Sequence, residues 1–175
     1  FSSIVSDQVQ GCTVYLPRID QNVLMWSNNS DPVFVGRLLY DDIGGSDDLH
    51  STGTNVPICR DICAFDDRWV AWNIRELSGT TRYVQRVQWP VAGDPEDSTG
   101  IGSGAQDLLD MRGAGTRIMP TKDQMVLGSD SEIWRGRKIG LPYVFDFSPM
   151  HREIGMPFTK AVCPTPWGIA WLDYG

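Results

Sequence analysis

The residues able to do chemistry in this chain are few, and their spacing decides what they could do. Cys59 and Cys63 have three residues between them. That is not a zinc-knuckle spacing, and no histidine lies near enough in sequence to complete one. With Cys12 and Cys163 they make only four cysteines, too sparse for a secreted disulfide framework. Small buried thiols in a reducing compartment are the simplest reading. Asp41, Asp42, Asp47 and Asp48 could gather round a cation, but no bidentate Glu follows at the twelfth loop position. A solvated loop accounts for them. "DPEDSTG" (94–100) reads the same way.

Nucleophilic catalysis needs a histidine set beside a Ser or Cys. His50 sits in a polar loop, and His151 sits beside Arg152 and Glu153. Neither lies in a recognisable frame. "GIGSGAQ" (100–106) has glycines but no GK[ST] ending, and acids surround it, so phosphate binding is not expected. A glycosidase carboxylate pair could hide among 22 acids, yet the S-x-D-x-G-x-T-W hairpins of sialidase propellers are missing. No enzymatic role, metal or cofactor is expected.

The elements that carry these residues follow from composition and pattern. The chain has 175 residues, 41% hydrophobic and 21% charged, which fits one globular domain spanning 1–175. Eighteen glycines and eleven prolines punctuate it too often for long helices. Seven tryptophans favour pleated surfaces that wide rings can cover. A net charge of −7 repels phosphate and argues against specific duplex binding. It suits a surface that DNA passes without sticking. No apolar run is long enough to span a membrane, and the N-terminus lacks a signal-peptide layout. The chain opens on Phe1 and closes on "WLDYG", like a hairpin cut at its turn, which predicts a fragment of a longer protein.

Four segments share one pattern: "VYLPRIDQNVLMWSN" (14–28), "ICAFDDRWVAWNI" (62–74), "RIMPTKDQMVLGSD" (117–130) and "AVCPTPWGIAWLDY" (161–174). Each runs from apolar residues through a polar or proline turn into a compact apolar run, the signature of a β-hairpin. They recur at roughly 45 to 55 residues, a blade-like period. Further strand-like runs follow them: 32–40, 81–89, 131–136 and 142–147. Each unit therefore carries about four short strands, as a propeller blade requires. The apolar runs are continuous because inner strands covered on both faces need no alternation.

The expected fold is all-β and β-propeller-like, with four-stranded blades forming an incomplete wheel. A β-sandwich is the alternative. Trp26, Trp69, Trp72 and Trp171 fall within the repeated runs and are expected to pack blade on blade. Trp89 and Trp134 are placed nearer an edge, as interface candidates. Two long acidic segments, 41–57 and 90–115, read as loop insertions projecting from one rim. The second contains a short helical possibility, "AQDLLDM".

The ordered motifs "CAFDDRWVAWNI", "RYVQRVQWPVAGDPEDST", "DLLDMRGAGTRIMPTKDQMVLGSDSEIWRG" and "PYVFDFSPMHREIGMPFTKAVCPTPWGIAWLDYG" resemble one group. It is the β-propeller tail nozzle, or packaged-DNA stabilisation, proteins of short-tailed bacteriophages. The likeness covers residues 58 to 175. It implies a virion structural protein, assembled in the host cytoplasm, in a hexameric ring of copies below the portal and its adaptor. Such a ring extends the channel through which genomic DNA leaves and helps retain it. Other tail proteins would be its partners, and no catalytic residue is implied. Four units are fewer than a typical wheel uses, so a longer chain or partner chains would complete it. The alternative function is a carbohydrate- or receptor-binding β domain using Trp89 or Trp134 as its platform.

Overall fold

The computed structural model describes residues 10–16, 21–27, 34–37, 49–51, 57–75, 80–94, 97–158 and 161–172. Among them there is no helix; the chain is all-β. The first sheet joins β1 (Gln10–Leu16), β2 (Gln21–Ser27), β3 (Phe34–Arg37) and β4 (Leu49–Ser51). The second joins β5 (Ile58–Phe65), β6 (Arg68–Arg75), β7 (Arg82–Trp89) and β8 (Gly104–Asp107). The third joins β9 (Gly115–Pro120), β10 (Met125–Ser129), β11 (Ile133–Lys138) and β12 (Phe145–His151). A two-stranded sheet, β13 (Val162–Thr165) with β14 (Gly168–Trp171), follows. In each sheet every strand pairs antiparallel with its sequence neighbour.

All four expected hairpins form: β1–β2, β5–β6, β9–β10 and β13–β14. The two acidic segments are more than insertions. β4 lies within 41–57 and β8 within 90–115, so each contributes the fourth strand of its sheet. The remainder of 41–56, including Asp41, Asp42, Asp47 and Asp48, lies outside the described residues. "AQDLLDM" forms no helix. Ala105 and Gln106 pair with Gln88 and Val87. Arg86 then clamps Asp107 through two hydrogen bonds, at 2.6 and 2.8 Å. Cross-strand pairing and this forked ion pair outweigh a helical propensity that only a few residues support.

The sheets stack in chain order. One face of the second sheet gives Cys59, Ile62, Trp69, Ala71 and Ile74 to a core shared with Cys12 of β1. Its other face gives Val70, Trp72, Val87 and Trp89 to a core shared with Ile118, Met125, Leu127, Trp134, Phe145 and Phe147 of the third sheet. The third sheet's far face gives Met119, Val126 and Ile133 to a core with Val162, Ile169 and Trp171 of the last hairpin. Strands β6 and β10 thus lie between apolar layers on both sides, which is why their sequences do not alternate. The first strands of successive sheets are neighbours, β1 against β5 and β5 against β9.

Two local devices make this possible. The turn Asp66–Asp67 has φ of 54° and 55° at its two residues, the left-handed pair that a two-residue hairpin with native twist demands. Aspartate tolerates that region better than most residues. Asn73 is also left-handed, with φ 56°, at the point where the β6–β7 register shifts. Strict alternation would separate Ile74 from Trp69 and Ala71; this residue changes the parity and keeps all three on one face. Its amide donates to Gly115 O at 2.6 Å, and Arg82 Nε donates to its Oδ1 at 2.6 Å.

Candidate interaction face

Two buried polar side chains of the second sheet, Asp61 and Asn73, join it to the third. Asp61 of β5 is buried. Its Oδ2 accepts from the Ile118 backbone N–H at 2.6 Å, and its Oδ1 from Arg117 Nη1 at 3.0 Å. This ties the first strand of one sheet to the first strand of the next. Burial pushes the Asp61 carboxyl up to about 7, against the opposing pull of Arg117 and the Ile118 N–H. Trp72 Nε1 donates to Gly128 O at 3.1 Å across the same layer.

At one end of the stack, Glu132 is fully buried. It accepts from Arg112 Nε at 2.7 Å and Trp134 Nε1 at 2.8 Å, with Arg152 Nη1 at 3.7 Å. Burial opposes its ionisation, but these donors outweigh it and hold the carboxyl below its usual range. Two of the thiols are held protonated. Burial, with Cys59 and Asp61 nearby, pushes Cys12 up to about 12, and burial raises Cys63 as well. Among the described residues no group of three or more His, Cys, Asp or Glu could hold a metal ion. His151 is exposed at the end of β12.

The opposite end gathers five connections. Arg68 Nε reaches Pro90 O at 3.2 Å, and Gly93 N donates to Asp67 O at 2.9 Å, joining the β5–β6 turn to the β7–β8 connection. Lys138 pairs with Asp66, bringing in the β11–β12 connection. The β9–β10 and β13–β14 turns sit beside it, lining a shared cleft of about 700 Å3. This end exposes large apolar side chains: Ile101 at 88%, Tyr143 at 74%, Leu141 and Ile139 in the same connection, and Trp167 at 93%. The 101–102 turn and Leu141 are adjacent, since a Cβ on Gly102 would lie 3.7 Å from Leu141 Cδ2. Exposed apolar side chains on two adjacent connections suit a contact surface.

The tryptophans divide differently from expectation. Trp69 and Trp72 are fully buried between sheets, and Trp171 is half-buried against the third sheet's far face. The side chain of Trp26 lies outside the described residues. Trp89 and Trp134 are not edge residues. Trp89 packs edge-on to Phe145 with ring centroids 5.0 Å apart, and Trp134 is fixed by Glu132. Both are buried, because their strands supply the same apolar layer as Trp72. They offer no surface for a ligand. Among the described residues the exposed indole is Trp167, in the "PTPWG" turn. The sequence signal for it was its position between proline and glycine, outside any apolar run.

No protein-family model matches the sequence, and no curated protein matches it.

Proposed function

We propose that the chain is a structural protein of a bacteriophage tail. In this reading it forms propeller-type blades and assembles as a ring of copies that extends the genome exit channel. The observation that carries it is the serial stack: antiparallel meanders in chain order, the interior ones buried on both faces, with first strands side by side. That is how blades sit around an axis, whereas a sandwich needs only two sheets with one buried face each. Asp61, Asn73 and Trp72 support the reading too, because each bonds from the second sheet to the third. The net charge of −7 suits a wall that DNA must leave quickly.

Ring contacts are assigned to the connection end, where Ile101, Leu141 and Tyr143 are exposed and Gly102 lies beside Leu141. The experiment is localisation in purified particles by electron microscopy with a tagged chain. A symmetric ring of label on the tail axis is expected. Label on the head, or none in particles, overturns the assignment.

A further inference from the structure

The cleft between the β9–β10 and β13–β14 turns has an occupant chemistry that the ring reading does not use. Its volume, about 700 Å3, falls in the range of small-ligand sites. One wall is Trp167, 93% exposed, on a two-residue tip. The other is the 121–124 turn with Arg137. Both walls are braced by their own hydrogen bonds. Thr165 Oγ1 donates to Gly168 O at 3.1 Å and accepts from Trp167 N at 3.3 Å. Thr121 Oγ1 donates to Gln124 O at 2.8 Å, and Thr121 N to the same oxygen at 2.7 Å. Arg137 Nε leans toward Gln124 Oε1 at 3.5 Å. A ligand therefore meets surfaces that need little ordering.

We propose that this cleft binds a saccharide bearing a carboxylate. A pyranose presents C–H bonds along one face, and their positive edges suit the negative face of an indole. Trp167 supplies that face. Ring hydroxyls need paired donors and acceptors, which Gln124 and Asp123 provide. Lys122 and Arg137 place two cations against the one acid Asp123, on a chain of net charge −7. That local excess selects a carboxylate, which a guanidinium can hold with two parallel bonds. A nucleic acid would also stack on the indole, and its binding is one outcome of the test. The cleft lies at the end to which ring contacts are assigned, so binding is read on the full chain before it assembles, and its loss is distinct from loss of the ring.

The test is titration calorimetry with a galacturonic acid trimer, sialyllactose, maltotriose and a short oligothymidylate. At least one acidic saccharide binds with Kd of about 0.1–1 mM, and maltotriose binds at least about 10-fold more weakly. Trp167→Ala and Arg137→Gln each weaken acidic binding about 10-fold or more. Melting temperature is unchanged in Trp167→Ala, since that side chain supports no core. Failure of both acidic sugars to bind at about 10 mM overturns the site. So do equal binding of maltotriose, stronger binding of the oligonucleotide, or a Trp167→Ala variant that binds like the parent.

Discussion

Gly115→Ala is the smallest change that reaches the joint between the second and third sheets. A Cβ there would lie 2.4 Å from Trp72 Cε2 and 2.5 Å from Nε1, where carbon contacts settle at about 3.5–4.0 Å. The indole must retreat by about 1 Å. It has nowhere to go, being fully buried and held to Gly128 O at 3.1 Å. Overpacking of this kind costs about 1–3 kcal/mol, and loss of the indole hydrogen bond adds about 1 kcal/mol. The variant should therefore lose roughly 2–4 kcal/mol. Trp72→Phe removes the atoms that clash. Alone it is destabilising, through the lost bond and smaller ring, by about 2–3 kcal/mol. Gly128 O keeps a second donor in Thr116 Oγ1 at 3.1 Å, so the acceptor is not orphaned. In the double variant the alanine no longer meets the indole, and the two costs should fall short of their sum by at least about 1 kcal/mol. Urea unfolding followed by far-ultraviolet circular dichroism of the four proteins measures this. Strict additivity, or a Gly115→Ala variant within about 0.5 kcal/mol of the parent, would refute the packing of Trp72 against β9.

Further outcomes follow from the buried acids and the exposed end. Asp61, raised to about 7 in the folded chain, gives stability that is full below its ordinary range and is lost as pH rises through 7. Unfolding free energy from urea titrations should therefore fall from pH 5 to 9 more steeply for the parent than for Asp61→Asn, by an amount on the order of a few kcal/mol at the alkaline end; parallel profiles would contradict it. Glu132 has the opposite sign. Its lowered carboxyl contributes stability above its ordinary range and loses it on acidification. Glu132→Gln should flatten the acid limb and cost about 1–3 kcal/mol at neutral pH, a moderate figure because Arg112 is largely exposed and rehydrates. Replacing Leu141 and Tyr143 together by Asp should leave the melting temperature within a few degrees but abolish assembly by analytical ultracentrifugation. Intact rings would move the contact elsewhere.

Much of the fold was legible in the residues because it depends on local pattern. "DDRWVAWN" declared a tight turn entering a doubly covered strand, and Trp69 and Trp72 are buried as that run implied. The fourth strands were not legible. β4 and β8 are short and polar, held by pairing and by Arg86–Asp107 rather than by an apolar pattern. Trp89 and Trp134 misled because each stands at or near a strand end; sequence does not say that such an end lies beneath a neighbouring sheet. Asp61 and Glu132 looked like two among 22 acids. Only the stacking of β5 on β9 sets Arg117 beside Asp61, and only the meeting of two connections sets Arg112 beside Glu132. The Trp167 cleft was hidden for the same reason, since its two walls come from turns that meet only in three dimensions.

We propose that successive sheets stack radially, with their first strands toward one axis. A density map of the assembled protein at side-chain resolution tests it most directly. It should place β1, β5 and β9 side by side, with Asp61 joined to Arg117 and copies of the chain arranged symmetrically around the channel. A map with β5 and β9 on opposite edges of two facing sheets, and Trp72 open to solvent, would contradict it.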